Sequence, residues 1–402
     1  MEGKRFIRAI HPRNILSYGP DTPSFELEPL NVLIGPNASG KSNLIDVLSV
    51  LRAAPGNLAS PIRRRGGTAA WLWKGREDRV PATVEVIVDN EITAIPLRYR
   101  LKFAEQRGLF LLWDEAIEDA LPVPGHTEPA FHYRYGLGHP VLQHRAYSEA
   151  MGNFMAPRSL NRKDLDPEKS ILSQHRDPIT YPELTYLANQ LERISLYRET
   201  NLGPSTSFRE PQKADLPHMR LLEDGSNLGV VLSNLMNRPA VGQTILKRMR
   251  TFYPYVDNIV TTISGGTVQI FFHERELRHP IPATRLSDGS LHYLFLLAVL
   301  CNPDPDLVTC IEEPEIGLHP DIIPEIADLL VEASSRTQLI VTTHSDVLVD
   351  ALTEVPESVV ICEKQGPATS LRRLDRETLK PWLERYRLGE LWSSGNIGGN
   401  RW

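Results

Sequence analysis

The chain has 402 residues, a net charge of -6 and 41% hydrophobic content. The charge excludes a protein that binds nucleic acid over its whole surface, though not a local basic patch. The length predicts two or three domains or lobes, and the apolar content suffices for a large core.

The three cysteines, Cys301, Cys310 and Cys362, show no metal or redox spacing and read as core residues of a reducing cytoplasm. The first residues lack the apolar core of a signal peptide. The longest apolar run, 291–301, is interrupted by His292 and is too short to cross a bilayer, so it reads as a buried helix and no membrane partner is expected.

In chain order, 6–10, 15–17 and 25–27 read as short strands, with a turn at 20–23. Residues 30–34 form an apolar run of buried-strand type. Gly35-Pro36-Asn37-Ala38-Ser39-Gly40-Lys41-Ser42 follows, and an amphipathic pattern opens at Asn43. The octapeptide matches the phosphate-binding loop in its required strand–loop–helix setting. Backbone N–H groups of such a loop, with a helix N-terminus behind them, make an anion site. Lys41 is placed for the β- and γ-phosphates and Ser42 for Mg²⁺.

Residues 53–67 are rich in Pro, Gly and Arg. Arg63-Arg64-Arg65 reads as a solvated loop, with a nucleic-acid backbone contact as the sharper alternative. From Ala82 the pattern alternates, predicting an antiparallel meander over 83–88, 95–103, 109–117 and 131–135. Arg98, Arg100 and Lys102 share one face of it and read as solvated. From Ser170 the character is helical. Leu184, Leu187, Leu191, Ile194 and Leu196 carry helical spacing, and 227–253 is helical again. Gly265-Gly266 marks a hairpin between 259–264 and 267–272. With no sustained heptads, the stretch between Ser42 and Leu286 must be compact, without a long coiled coil.

Leu286-Ser287-Asp288-Gly289-Ser290 precedes the apolar helix. By itself this is also an ordinary helix start. Just downstream, 307–311 is a β-branched strand ending in Glu312-Glu313-Pro314-Glu315, the form of a Walker B element. Two acids there have separate work: one holds the Mg²⁺ shell and the next positions or deprotonates water. One helix later, 338–343 is a further buried strand ending in His344-Ser345.

This set, in this order, resembles the ABC-type ATPases of the SMC, RecF and OLD branch. The resemblance rests on 35–43, 286–290, 311–320 and 342–346. It implies an α/β fold: an ABC-ATPase head with a mixed sheet carrying the phosphate loop and an antiparallel β subdomain, plus a compact, mainly helical insertion. The expected division is an N-terminal lobe at 1–165, the helical insertion at 166–258, a C-terminal lobe at 259–365 and a terminal segment at 366–402.

The resemblance also implies roles. ATP and Mg²⁺ would be held by Gly35, Pro36, Asn37, Ala38, Ser39, Gly40, Lys41, Ser42 and Asn43. Ser287 and Gly289 of a second copy would close over the γ-phosphate. Glu313 would be the base, His344 the phosphate sensor, and Lys41 would act in catalysis. Ser42, Glu312 and Gln174 would complete the metal shell, with Gln143 the alternative to Gln174. The branch usually carries Asp where this chain has Glu312. Arg13 and Tyr18 are candidates for the adenine.

The implied activity is ATP hydrolysis by a switch that dimerises on ATP. It would control a DNA-engaging or effector-holding complex, in phage defence or, alternatively, in DNA repair. Only 58 residues follow His344, too few for the TOPRIM nuclease of OLD-type relatives, so a nuclease would be a separate partner. Competing classes are a non-hydrolysing scaffold, a transporter subunit and a small-molecule kinase. The terminal stretch from Leu388, with Trp392 and several glycines, reads either as packed on its own head or as a docking tail.

Overall fold

The computed structural model describes residues 3–76, 80–122, 126–136, 139–143, 145–146, 153–154, 158–198, 203 and 205–399. Residues 400–402 of the expected tail lie outside them, as do 199–202 and 204.

The centre is a sheet of strands Leu30–Ile34 (β1), Ile194–Tyr197 (β2), Val308–Glu312 (β3), Gln338–Thr342 (β4), Val359–Gln365 (β5) and Ala368–Arg373 (β6), in spatial order β2-β3-β4-β1-β5-β6. All neighbours are parallel except β5 and β6. Both faces are covered, which is why these strands read as continuous apolar runs. Leu30, Val32, Ile34, Leu339 and Val341 enter one core. Leu33, Val308, Cys310, Ile340 and Val360 enter the other.

Helix Lys41–Ala53 (α1) covers the second face. On the first face lie Asp288–Leu300 (α2) and Ile323–Ala333 (α3). Residues 290–300 of α2 are all buried, matching its apolar composition on every side. The three cysteines are free and buried, and burial pushes the Cys301 and Cys362 thiols up to about 12.

Beyond α1 stands an eight-stranded antiparallel sheet, built of the four expected meander strands with Ile7–Arg13 and Phe25–Glu26 added at one edge and His139–Leu142 and Arg158–Ser159 at the other. Residues 15–17 are not a strand. Ile15 makes isolated bridges to Tyr18 and Leu72, and Asn14 and Leu16 turn the chain at positive φ. The basic residues of the meander are neutralised along its surface: Arg98 pairs with Glu118 at 3.1 Å and Lys102 with Asp114 at 3.2 Å.

Strands of the central sheet fall inside two of the expected divisions. Residues 166–258 hold helices and also supply one strand of that sheet. Their helix Pro182–Leu191 ends before Ile194, and 194–197 form β2, an edge strand of the central sheet. The 366–402 segment likewise begins as β6 of the same sheet. The remaining helices, Leu228–Met236 and Pro239–Phe252, pack with a small antiparallel sheet that contains the hairpin around Gly265-Gly266.

Candidate nucleotide site

Strands β1, β4 and β3 are adjacent and parallel, so their carboxyl ends open on one edge. The register sets Glu312 against Thr342, and Thr342 against Leu33. Two backbone bonds extend the alignment past the strands: Thr343 N–H donates to the Leu33 carbonyl at 3.1 Å, and Glu313 N–H to the Thr342 carbonyl at 2.9 Å. The phosphate loop, the paired acids and the His344 turn are brought together by that register.

The loop leaves β1 through Gly35 at φ 145 and enters α1 through Gly40 at φ 107, with Ala38 also left-handed. A Cβ at Gly35 would stand 2.1 Å from the Cys362 carbonyl, and one at Gly40 2.3 Å from the Thr369 hydroxyl, so both positions require glycine. Lys41 is buried. Its ammonium donates to the Gly35 and Pro36 carbonyls at 2.7 and 3.1 Å, holding positive charge inside the loop.

The outer rim is braced. Thr369 donates to the Ser39 carbonyl and accepts from the Ser17 hydroxyl, each at 2.7 Å, and Asn43 donates to Ser17 at 2.7 Å. Tyr18 is fully buried and gives its hydroxyl to the Gly40 carbonyl at 3.1 Å. It is a wedge under the loop, not a surface on which a base can stack. Arg13 closes its strand, with its Nε buried and lacking a hydrogen-bond partner.

Glu312 is half-buried, and burial raises its pKa, opposed by the Arg198 charge. Its Oε1 is buried without a hydrogen-bond partner. Glu313 sits at φ 48, a left-handed position uncommon for a residue with a Cβ, and its carboxylate lies 3.6 Å from His344 Nε2. Glu315 has a structural part in the same turn. It accepts from the Thr343 hydroxyl at 2.6 Å and from the His344 N–H at 2.9 Å, clamping the turn that carries the imidazole.

Ser287 N-caps α2, its hydroxyl accepting from Ser290 N–H at 3.1 Å. A Cβ at Gly289 would meet the Gly317 carbonyl at 3.0 Å, then Phe252 and Leu318. None of these neighbours belongs to the phosphate loop. Arg209 binds this turn: it pairs with Asp288 at 2.5 Å and donates to the Leu286 carbonyl at 2.7 Å.

Gln174 is not brought to Ser42. Its amide turns into its own loop, accepting from Asp166 N–H at 2.8 Å and donating to the Lys169 carbonyl at 3.1 Å. The cause is Ser170, which caps that short helix and is bonded to Glu115 and Tyr99 of the antiparallel sheet. Arg176, two residues on, reaches the Pro55 carbonyl at 2.6 Å, beyond the far end of α1. At 1.5 Å per residue that is about 18 Å along the helix from Ser42. Gln143 directly follows the strand His139–Leu142 of the antiparallel sheet, its N–H on the His132 carbonyl. The place beside Glu312 at the end of β2 belongs to Arg198. Arg198 and Asp46 were not singled out by sequence reasoning, since neither lies in a recognisable motif.

The donor set suits a triphosphate with a hard divalent cation. A loop of backbone N–H groups and Lys41 meets anionic oxygens. Ser42 and the unpartnered buried oxygen of Glu312 offer oxygen ligands. Among the described residues no cluster of three His, Cys, Asp or Glu could hold a metal alone, so phosphate oxygens and water would fill the shell. No described helix is long and apolar enough to cross a membrane.

Solved structures share the fold. The SMC head bound to the C-winged helix domain of ScpA aligns over 93% of this chain and 99% of its own, with a TM-score of 0.55 at 14% identity. The SMC head with an extended coiled coil bound to the C-terminal domain of ScpA, from Pyrococcus furiosus, aligns over 94% and 98%, with a TM-score of 0.53 at 13% identity. The SMC head with a coiled coil and joint from Pyrococcus yayanosii aligns over 94% and 99%, with a TM-score of 0.51 at 10% identity. No curated protein matches the chain in sequence. The model of one ATPase family matches residues 30–350, from the strand before the phosphate loop to the helix after His344, and the chain belongs to that family, described as "AAA domain, putative AbiEii toxin, Type IV TA system".

Proposed function

We propose that this protein is an ATP-hydrolysing switch whose heads close on one another around two nucleotides. One observation carries the reading. Lys41, Ser42, Glu312, Glu313 and His344 share the carboxyl edge of three adjacent strands, while the Ser287–Gly289 turn is held against Gly317, apart from its own phosphate loop. A turn placed there is available to the site of a second copy.

Bound ATP with Mg²⁺ supplies the phosphoanhydride and the cation that neutralises its charge. Lys41 and the loop N–H groups bind and orient the phosphates. Ser42 and Glu312 would hold the cation. Glu313, fixed by its backbone bond to Thr342, takes the proton of the attacking water. His344, clamped by Glu315, sits 3.6 Å from that carboxylate and senses the terminal phosphate.

The biological setting follows from the same reading. The family description names a toxin of a toxin–antitoxin system, which favours bacterial defence over DNA repair. The SMC heads bound to ScpA domains favour a separate protein partner docked on the head, an effector such as a nuclease. Double-stranded DNA is the alternative ligand of the closed state. Cytoplasmic action fits an ATP-driven switch. A second reading, a non-hydrolysing scaffold, is favoured by Glu312 standing where the branch has Asp.

The test is Glu313→Gln. Hydrolysis should fall by about 100-fold or more, the usual size of a general-base effect. Sedimentation should show an ATP-dependent dimer that persists in the variant. An unchanged monomer population with ATP would overturn the switch. Slow turnover indifferent to the substitution would establish the scaffold.

A further inference from the structure

Arg198 follows β2 directly, and β2 pairs Tyr197 with Ile311, so Arg198 emerges beside Glu312. Its Nη1 binds Asp46 Oδ1 at 2.5 Å. Asp46 lies four residues beyond Ser42, on the same face of α1. Asp46 also takes Arg65 at 3.0 Å. Two guanidinium groups and two carboxylates, Asp46 and Glu312, thus surround the metal-facing end of the site.

The group is incompletely bonded. The Arg198 side chain is only 12% exposed, yet its Nε and Nη2 are buried without hydrogen-bond partners. Oε1 of Glu312 is in the same condition. Buried polar atoms are almost always partnered, and the exceptions concentrate where a ligand completes them. The guanidinium edge and the carboxylate oxygen are electrostatic neighbours that do not bond each other. An anionic ligand satisfies the first and a cation the second, and a metal–phosphate brings both.

We propose that Arg198 is an in-chain phosphate ligand: anchored through Nη1 on Asp46, it offers its Nε–Nη2 edge to the terminal phosphate of the nucleotide. That edge presents two parallel N–H groups, the fork that matches phosphate oxygens. The 35–42 loop would grip the diphosphate. Arg198 therefore distinguishes ATP from ADP.

This inference rests on the nucleotide-binding reading, and its test separates the two. Equilibrium binding of ATP and of ADP, each with Mg²⁺, is measured by calorimetry on wild type, Arg198→Ala, Arg198→Lys and Lys41→Ala, with thermal melts of each without nucleotide. Arg198→Ala should weaken ATP by about 10-fold or more, the size of one charge-assisted hydrogen bond, and leave ADP within about two-fold. Arg198→Lys keeps the charge opposite Asp46 and so guards against misfolding. It should show the same selective loss, because an ammonium lacks the fork. Lys41→Ala should lose both nucleotides. Equal losses for ATP and ADP in a folded Arg198 variant, or no loss of either, would overturn the proposal. Failure of wild type to bind either nucleotide would instead overturn the reading beneath it.

Discussion

The indole N–H of Trp392 donates to the carbonyl of Gly399 at 2.9 Å, and through that bond the end of the described chain is held against the phosphate loop. Gly399 runs at φ 71, and a Cβ there would lie 3.0 Å from Ile361 and 3.7 Å from the Cα of Gly35. Glu363 accepts the Gly399 N–H, and Arg372 donates to the Ile397 carbonyl at 2.6 Å. Gly35 therefore lies between the Cys362 carbonyl and Gly399. The segment is packed on its own head.

A loop so supported should weaken when its support is loosened. Trp392→Phe keeps an aromatic ring but leaves the Gly399 carbonyl unpaired, at a cost of about 1 kcal/mol. The expected result is a several-fold loss of affinity for ATP and ADP together, because Gly35 belongs to the part of the loop common to both. The melting temperature should move by less than about 3 °C. Calorimetric titration of both nucleotides checks this, and unchanged affinities would remove the tail from the site.

The phosphate loop, the paired acids and the buried strands were legible because each is a contiguous run with its own chemistry. What was lost is what depends on distant pairing. Leu184, Leu187 and Leu191 continue into Ile194 at helical spacing, so periodicity carries the helix about one turn into what is a four-residue edge strand. Only its parallel register with Val308–Glu312 reveals it. Arg198 and Asp46 meet across 152 positions, and no local pattern marks either. Gln174 misled because a polar residue at a helix end is plausible anywhere. Its place is fixed by Ser170 and Glu115, whose partnership is also long-range. Glu315 lay inside a recognised motif, but its role depends on a turn 29 residues away.

That Glu115 carries a pH prediction of its own. It is fully buried, accepting from Ile171 N–H at 2.9 Å and from the Tyr99 hydroxyl at 2.8 Å. Burial pushes its carboxyl up to about 7, from the 4.5 of an exposed glutamate, against the opposing pull of those bonds. The folded state therefore binds the proton more tightly than the unfolded chain. Stability from this group is full below about 4.5 and is lost as pH rises through about 7. The loss is on the order of 3 kcal/mol. Urea unfolding at pH 5.5 and pH 8 should show wild type weaker at the higher pH. Glu115→Gln should lack that part of the difference. An identical pH dependence in the two proteins would show that Glu115 is ionised throughout.

Arg209 offers the sharpest separation of what each head does for itself from what it does for its partner. Its side chain is only 11% exposed and donates to the carbonyls of Ala283, Thr284 and Leu286 while pairing with Asp288. Arg209→Ala leaves those acceptors and Asp288 without their cation and loosens the turn that carries Ser287 and Gly289. In the head-to-head arrangement that turn serves the other subunit. Nucleotide affinity of the isolated variant should stay within about two-fold of wild type, whereas ATP-dependent dimerisation and turnover should fall by about 10-fold or more. Lys41→Ala should be inactive for the opposite reason, with an intact turn and a disabled phosphate loop. Mixing the two impaired proteins creates heterodimers in which one of the two composite sites joins the sound loop of the Arg209→Ala chain to the sound turn of the Lys41→Ala chain. Turnover should then reappear in the mixture, well above the sum of the separate variants. Turnover no greater than that sum would mean that each head completes its own site, and the head-to-head switch would have to be abandoned.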